Sequence, residues 1–456
     1  MVNIQKTGNP EAALNLWLSE AVGVDGSESD HILVVAYDYT QYYFSGAPLI
    51  ELVVVYCQSS GQLCFVVAES SLSKYHQLES MDAGLSGLHT FARANDLPVI
   101  VLGSPLKLET VSIAKPWGQE IWYTGIEERG VSRVTDGLSS VPLPWVLSVA
   151  PRRLAANCEQ KINLLKILDP LSEAVYGDLY FELHKEKREV YVVTHIDDGA
   201  WPSGIGAIRY GFNPETRKKY VTSEAFRAAY LAAVKRYEVL RRQIDEQFDV
   251  FRRDEAIGSN TPISAEVIQR WSSMLPDTVL AQEESLREEM NQFTSLLPLE
   301  QGDVVQVPLL TPHSLQHGIR TVEFQTPVYE RMILSFAQKV LTQNHWDTEQ
   351  AVEIMSLDSP SLPELGVLEE NKAFRLEEVV KFDDFQVLRL TLMASAEYVL
   401  PQTQHYGLLL VVDGAVVCQG VGVAKEEALL LPAQRSELQI VNSLHKDAVL
   451  LLAAPV

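Results

Sequence analysis

The stretch at residues 177–193, GDLYFELHKEKREVYVV, constrains the fold more than any other part of the chain. Its pattern predicts two short β-strands joined by a charged turn. Because side chains alternate across a strand, Glu182 and His184 share one face, while apolar residues occupy the other. In the second strand Glu189 shares a face with Tyr191 and can return towards His184. One face of this strand–turn–strand segment can therefore hold an ion.

A distant segment supplies a further candidate ligand for such an ion site. Residues 302–313, GDVVQVPLLTPH, read as a strand that ends at Pro308, followed by a turn that presents His313. Together with Glu182, His184 and Glu189, this histidine completes a set of nitrogen and oxygen donors. Such a set suits Zn, Mn, Fe or Ni better than an ion that prefers thiolates.

These spacings resemble the two metal motifs of the cupin barrel. The first resemblance rests on Gly177, Glu182, His184 and Glu189, and the second on Gly302, Pro308 and His313. KPWGQEIW at 115–122 and GDVVQVPLLTPHSLQHGIRTVEFQTP at 302–327 are similar to segments of the type I phosphomannose isomerases. The resemblance spans roughly residues 111–345 and continues more weakly to the C-terminus.

The resemblance implies a metal-dependent aldose–ketose isomerase that interconverts mannose 6-phosphate and fructose 6-phosphate, or a related sugar phosphate, through an enediolate. It implies four metal ligands: Glu182, His184, Glu189 and His313. Zinc is the first expectation, with manganese and iron as alternatives. The family usually has a glutamine at the position of Glu182, so this chain carries an added negative charge. That charge weakens the metal as a Lewis acid and favours Mn or Fe.

The resemblance also implies roles for several cationic residues. Arg331 matches an arginine that lines the family's active site and would stabilise the enediolate. Lys187 matches the lysine of the family's Lys-Pro-Glu turn, although Arg188 replaces the proline here. Lys166 and Arg320 are the candidate phosphate contacts. The group that moves the proton stays open among Glu330, Lys187, Arg331 and a metal-bound water.

Three other interpretations compete with the enzyme. A non-catalytic cupin that binds a sugar or sugar phosphate, as a sensor or scaffold, is favoured by the Glu182 substitution and by the additional N-terminal domain. An oxygen-using metal cupin gives Lys187 and Arg331 no task. Glu182 and Glu189 on a solvated surface would need no metal, but two matched motif spacings argue against that reading.

Composition excludes several classes of partner. The chain has 456 residues, a formal net charge of -23 and a pI near 4.9. Nucleic acid and anionic membranes would repel it at long range. The N-terminus lacks the basic and apolar regions of a signal peptide, which predicts a cytoplasmic protein. The four cysteines form no CxxC pair and are expected to be buried thiols. The sequence leaves a homo-oligomer open.

The predicted fold class is mainly β with α, built from two cupin-type barrels. Residues 1–110 are expected to form an N-terminal α/β or α+β domain of unknown role. Residues 111–350 are expected to form the metal-binding cupin domain, with a helical insertion at about 214–300. Residues 365–456 are expected to form a cupin-like barrel without a metal.

Local patterns give further expectations. A long amphipathic helix and two shorter ones are predicted within 222–296, and the Arg and Lys stripe on them is expected to be a solvated face. Residues 328–355 are predicted to turn helical. SSGQ at 59–62 and the Asp413-Gly414 pair both predict hairpin turns. Lys166, within an apolar strand, either extends to the rim or points into a pocket.

Overall fold

The computed structural model describes residues 4–21, 31–82 and 84–456. The chain forms two compact units. The first contains the residues up to Val111, Trp122–Leu165 and Leu365–Val456, and the second contains Ser112–Ile121 and Lys166–Glu364.

The helices are short except for one in the second unit. In chain order they are α1 (Pro10–Ala21), α2 (Leu72–Glu79), α3 (Leu85–Ala94), α4 (Leu143–Val149), α5 (Pro151–Ala155), α6 (Pro214–Arg217), α7 (Ser223–Asp254), α8 (Ala265–Ser272), α9 (Asp277–Asn291) and α10 (Thr348–Ile354). No helix in the described ranges is both long and apolar enough to span a membrane.

The strands dominate both units. In the first half of the chain they are β1 (Ile4–Lys6), β2 (His31–Thr40), β3 (Leu49–Ser59), β4 (Gln62–Glu69), β5 (Ile100–Val101), β6 (Leu106–Glu109), β7 (Val111–Lys115), β8 (Gly118–Trp122), β9 (Ile126–Glu127), β10 (Gly130–Val131), β11 (Arg133–Thr135), β12 (Ser140–Pro142), β13 (Leu164–Pro170), β14 (Phe181–Leu183), β15 (Glu189–Ile196) and β16 (Gly206–Phe212). In the second half they are β17 (Thr294–Leu299), β18 (Val304–Val307), β19 (His313–Leu315), β20 (Ile319–Gln325), β21 (Met332–Ser335), β22 (Gly366–Glu370), β23 (Phe374–Lys381), β24 (Phe385–Leu392), β25 (Glu397–Leu400), β26 (Gly407–Asp413), β27 (Ala415–Cys418), β28 (Val421–Ala424), β29 (Ala428–Leu431), β30 (Leu438–Val441) and β31 (Ala448–Pro455).

The second unit is built on two sheets that share one core. One sheet has the order β18-β15-β20-β13-β8-β7 and the other the order β17-β16-β19-β14-β21. Tyr191 and Val305 from the first sheet pack in the same buried cluster as Phe181 and Ile208 from the second. Successive side chains of a strand point to opposite faces, which directs half of each strand's side chains into this core. It confirms the predicted cupin-type fold of mainly β-structure.

The two strands of the 177–193 segment belong to different sheets. β14 pairs with β19 and β21, whereas β15 pairs with β18 and β20. The charged turn therefore carries the chain from one sheet to the other. The prediction of helix over 328–355 is wrong for most of that range, because Met332–Ser335 forms β21 and completes the sheet beside β14. Only Thr348–Ile354 is helical.

The helical insertion has the predicted three helices, α7, α8 and α9. The side-chain oxygen of Thr222 caps the start of α7 by accepting a hydrogen bond from the backbone N–H of Ala225. Phe226 and Tyr230 on α7 are fully buried in the core of the unit. The cationic stripe is not entirely solvated, because Arg241 and Arg252 are buried. Packing of α7 against the other helices and the barrel covers them.

The N-terminal part of the first unit is a five-stranded sheet in the order β1-β2-β3-β4-β5. β1 and β2 run parallel and the other pairs are antiparallel. Ser60 and Gly61 both have positive φ and form the predicted hairpin turn between β3 and β4. Leu88 and Phe91 of α3 pack on one face of this sheet, which confirms the predicted mixture of helix and strand.

The C-terminal part of the first unit also has two sheets. The larger has the order β12-β11-β6-β29-β26-β31-β24-β23-β22, and the smaller has the order β25-β30-β27-β28. Leu409 of the larger sheet and Ile440 of the smaller share one core. The Asp413-Gly414 pair does not form the predicted hairpin, because β26 and β27 lie in different sheets. The turn is a corner at which the chain changes sheet.

Strand pairing in the first unit also crosses the predicted domain boundaries. β6, β11 and β12, from residues 106–142, extend the sheet formed by residues 366–455. This grouping differs from the predicted division into 1–110, 111–350 and 365–456. All four cysteines are free thiols. Three of them are buried, and Cys158 is partly exposed.

Candidate metal centre

Two strands bring the separated motifs of the second unit together. Glu182 on β14 lies directly opposite His313 on β19 in the antiparallel register. The backbone N–H of Leu310, in the turn before His313, donates to the carbonyl of His184 at 2.7 Å. At Gly177 a Cβ atom would lie 2.0 Å from the carbonyl oxygen of Leu171, so only glycine fits there.

The four predicted ligands converge. The ligand atoms of Glu182, His184 and His313 all lie within 4.8 Å of one another. Glu189 reaches the same place, with its Oε2 atom 3.1 Å from Nε2 of His313 and 3.4 Å from Nε2 of His184. Both histidines and Glu189 are buried, whereas the Glu182 side chain is 17% exposed. The cluster is therefore open to solvent on the side of Glu182.

Hydrogen bonds define the tautomer of each histidine. Nδ1 of His184 lies 3.0 Å from the carbonyl oxygen of Glu330, and Nδ1 of His313 lies 3.0 Å from the carbonyl oxygen of Thr311. A carbonyl oxygen can only accept, so each Nδ1 carries a proton, and in the neutral imidazole each Nε2 presents a lone pair. Nε2 of His184 and Oε2 of Glu182 are buried and have no hydrogen-bond partner.

Two imidazole lone pairs and two carboxylates therefore face one another in a confined space. Such a set of acceptors repels itself unless a cation or a proton lies between its members. Backbone carbonyls that orient the imidazoles through Nδ1 are the usual second layer of a metal site. These residues fit a divalent metal ion.

Charges around the cluster keep its ligands in their metal-binding forms. Burial would raise the pKa of Glu189, but the charge of Lys187, whose Nζ lies 2.6 Å away, outweighs burial and holds that pKa well below its ordinary value. The hydroxyl of Tyr191 also donates to Glu189 at 2.6 Å. Burial, and then the charge of Lys187, lowers the pKa of His184. Glu189 is ionised and His184 is neutral, as metal ligation requires.

A second buried network adjoins the cluster, and sequence analysis identified only one of its members. Nζ of Lys166 lies 3.2 Å from Glu323 and 3.5 Å from Glu120, and Glu120 also pairs with Lys115 at 3.1 Å. Burial, followed by the charge of Glu189, raises the pKa of Glu323 well above its ordinary value. Glu323 is therefore protonated beside an ionised Glu189.

The network also decides between the two readings of Lys166. Burial acts to lower the pKa of Lys166, but the charges of nearby carboxylates, Glu120 first among them and Glu189 also, outweigh it, and this pKa is raised. Lys166 points into the interior as a cation and does not extend to the rim. The sequence held a signal for Glu323, because polar residues at 321, 323 and 325 alternate with apolar ones along β20.

Arg331 lies at the edge of the cluster. Its guanidinium carbon is 4.4 Å from the centroid of the Tyr180 ring, and its Nη2 donates to Oγ1 of Thr342 at 2.7 Å. Its Nε is 3.8 Å from Oε2 of Glu182. These contacts aim a cation at the open side of the cluster.

The side chains of two candidate residues, Arg320 and Glu330, have their partners outside the cluster. Arg320 pairs with Asp169 at 2.6 Å and lies on the opposite face of β20 from Glu323, so the strand does not direct it towards the cluster. The carboxylate of Glu330 accepts the backbone N–H groups of Lys185 and Glu186 at 2.7 and 3.0 Å. Glu330 therefore organises the charged turn.

Comparison of the whole chain with solved structures identifies its fold. A mannose 6-phosphate isomerase from Bacillus subtilis superposes with a TM-score of 0.51 and 14% identity. A mutant of phosphomannose isomerase from Salmonella typhimurium gives 0.53 and 13%, and a zinc-bound mannose 6-phosphate isomerase gives 0.53 and 12%. Each match covers 77% of this chain and 99% of the other. The chain has the phosphomannose isomerase fold.

At this level of identity the likeness concerns the fold. No protein-family model matches the chain, and no curated protein matches it by sequence. Within that fold, a cluster of Glu182, His184 and His313 is arranged to hold a metal ion.

Proposed function

We propose that the chain is a metal-dependent isomerase that interconverts mannose 6-phosphate and fructose 6-phosphate, or a closely related sugar phosphate. The observation that carries this proposal is the convergence of two imidazole lone pairs with the carboxylates of Glu182 and Glu189. This convergence occurs in a chain with the fold of phosphomannose isomerases. A divalent cation held there supplies Lewis-acid polarisation to the sugar oxygens.

The proposed role of Arg331 follows from its position. It lies beside Glu182 on the open side of the cluster and stacks on Tyr180, which fixes its guanidinium. Isomerisation places negative charge on the oxygens at C1 and C2 of the sugar. A fixed cation at the mouth of the site stabilises that charge without reorganising. We therefore propose Arg331 as the enediolate-stabilising group.

The structure offers a candidate for the proton transfer. Glu323 is buried and protonated, and it lies 3.2 Å from Lys166. A raised carboxyl pKa is the usual property of a general acid–base group near neutral pH. We propose that Glu323 donates its proton to a sugar oxygen as charge develops there; a protonated Glu323 and a cationic Lys166 cannot take the proton from C2, so the base is a different group. Lys187 then serves mainly to hold Glu189 ionised.

This assignment changes the expected role of Lys166. As a partner of two carboxylates, Lys166 offers little free charge to a phosphate. Arg320 stays a predicted phosphate contact, and it would have to exchange Asp169 for the phosphate.

A metal analysis tests the proposal most directly. We expect protein purified without chelators to contain close to one divalent metal ion per chain. His313→Ala should lose it because one of four ligands is removed. His345→Ala is the matched control, since His345 is highly exposed and is not one of the four proposed ligands. A wild-type chain without metal affinity, or a His313→Ala variant that binds metal normally, would refute the site.

A second candidate is a non-catalytic sugar-phosphate-binding protein. The specific observation in its favour is Glu182, whose carboxylate adds negative charge to the cluster and also faces Arg331. An isomerase assay with mannose 6-phosphate and fructose 6-phosphate separates the two functions. Metal and sugar-phosphate binding without interconversion would select the binding protein.

A further inference from the structure

A cavity of about 140 Å³ lies in the second unit between the helical insertion and the segments 174–176 and 337–341. Its lining includes none of the four proposed metal ligands. The apolar part of the wall includes Ile244, Phe248, Ile263, Ile268, Leu275 and Leu280. A cavity of this size and composition can hold a group as large as a benzene ring.

One polar group in the wall lacks a hydrogen-bond partner. Arg241 is 6% exposed, its Nε donates to Oδ1 of Asp245 at 3.0 Å, and its Nη1 donates to the carbonyl of Ala337 at 3.2 Å. Nη2 is buried and lies 2.9 Å from the same Asp245 oxygen, but it makes no correctly oriented hydrogen bond. A buried guanidinium nitrogen with unused donors is costly and fits an acceptor in the cavity.

The positive charges around the cavity are also not fully balanced by carboxylates. Its cationic side chains and their ion-pair partners comprise four cations and three carboxylates, namely Arg241, Arg252, Arg287 and Lys339 with Asp245, Asp249 and Glu283. Nζ of Lys339 forms an ion pair with Asp249 at 2.7 Å, whereas Nε of Arg252 lies 3.9 Å from the same carboxylate. One positive charge in this group therefore remains without a close counter-charge.

We propose that this cavity is a second binding site, which takes a small amphipathic monoanion such as an aryl or branched-alkyl carboxylate. The carboxylate accepts from Nη2 of Arg241, and the apolar body packs against Phe248 and Leu280. Arg252 also lines the cavity, but its Nη1 already donates to the carbonyls of Gly258 and Thr261, so Nη2 of Arg241 is the proposed anchor.

The chemical class can be tested on the unmodified full-length chain. We would measure the binding of benzoate and of benzyl alcohol by titration calorimetry, with ligand-observed NMR as a second readout. Because a charge-assisted hydrogen bond forms only with the anion, benzoate should bind about tenfold more tightly than the alcohol. Equal binding of the two probes, or binding of neither, would overturn the proposal.

The location can be tested with a matched pair on α9. Leu280→Trp fills the cavity and should weaken benzoate binding at least about tenfold. Val279→Trp is the control, because Val279 neighbours Leu280 in the sequence but does not line the cavity. This variant should leave benzoate affinity within about twofold of the wild type. Ile263→Trp, in the loop before α8, fills the same cavity from another element and guards against a folding defect in Leu280→Trp. Full benzoate affinity in both filling variants would refute the site.

Arg241→Gln tests the anchor. This variant should bind benzoate only as tightly as it binds benzyl alcohol. If it still prefers benzoate as strongly as the wild type does, another residue contacts the carboxylate and the proposed anchor is wrong. This variant also removes the partner of buried Asp245, so its fold is checked by circular dichroism. None of these readouts uses sugar-phosphate turnover, and the outcome is therefore independent of the proposed isomerase activity.

Discussion

The charge of Glu182 should be the main electrostatic determinant of metal affinity that distinguishes this chain from a glutamine-containing site. Glu182→Gln keeps the shape of the side chain and removes one of two carboxylates. A unit negative charge and a divalent cation 4 Å apart attract by about 8 kcal/mol at an effective dielectric constant of 20, before the desolvation of both is subtracted. Arg331, with its Nε 3.8 Å from the carboxylate, and the partial exposure of Glu182 offset part of this attraction.

The net loss on removing the charge should then be about 1.5–3 kcal/mol of metal-binding free energy, or roughly 10- to 100-fold in affinity for Zn²⁺. Since metal stabilises the folded state by mass action, the metal-induced rise in Tm should shrink by roughly 3–12 °C. Chelator competition and thermal melts with and without Zn²⁺ measure both quantities.

Glu186→Gln is the matched control for this experiment. It makes the same change of charge four residues away, on the exposed part of the turn. Its metal affinity should stay within about twofold of the wild type. If Glu182→Gln binds Zn²⁺ as tightly as the wild type, Glu182 is not a ligand and the electrostatic reasoning fails.

Three further predictions concern other parts of the molecule. Arg331→Ala should keep its metal but lose about 100- to 1000-fold in kcat for sugar-phosphate isomerisation; retained activity would exclude the proposed role. Lys166→Met should lower the free energy of unfolding by about 1–3 kcal/mol in denaturant titrations, because Glu323 and Glu120 lose a buried polar partner. Glu51 has its pKa lowered to about 2 by its hydrogen bond to Lys6, so its stabilisation is present above about pH 4.5 and is lost as pH falls towards 2. After a discount for solvent screening, Glu51→Gln should cost about 1–2 kcal/mol at pH 7 and nothing near pH 2, which melts across pH can check.

Sequence patterns predicted the cluster of candidate metal ligands because its signals are local. Alternation along a strand places Glu182 and His184 on one face without reference to the rest of the chain. The helical insertion could also be predicted, since α7 repeats its apolar residues with helical period over many turns. The turn at Ser60-Gly61 joins strands that are adjacent in sequence, and there the local signal decides the pairing.

Features that depend on distant pairing could not be predicted in this way. Asp413-Gly414 is a genuine turn, but a turn signal does not specify which sheet the next strand joins. Residues 332–335 are strand because they complete the sheet beside β14, although the surrounding segment has helical features. The partners of Lys166, Glu120 and Glu323, come from β8 and β20. Their contact with Lys166 could not be predicted, because it depends on strand pairing between segments that are distant in sequence.

The order of binding follows from the charges assembled at the centre. In a protein of net charge -23, an anionic sugar phosphate gains nothing from the surface as a whole. Four cations around the cluster face four carboxyl groups, namely Lys115, Lys166, Lys187 and Arg331 with Glu120, Glu182, Glu189 and Glu323. Because Glu323 is protonated, this set carries one positive charge, and a divalent cation would raise it to three. If the proposed function holds, metal must therefore bind before the sugar phosphate, since only the loaded centre is positive enough to draw a dianion into an acidic protein.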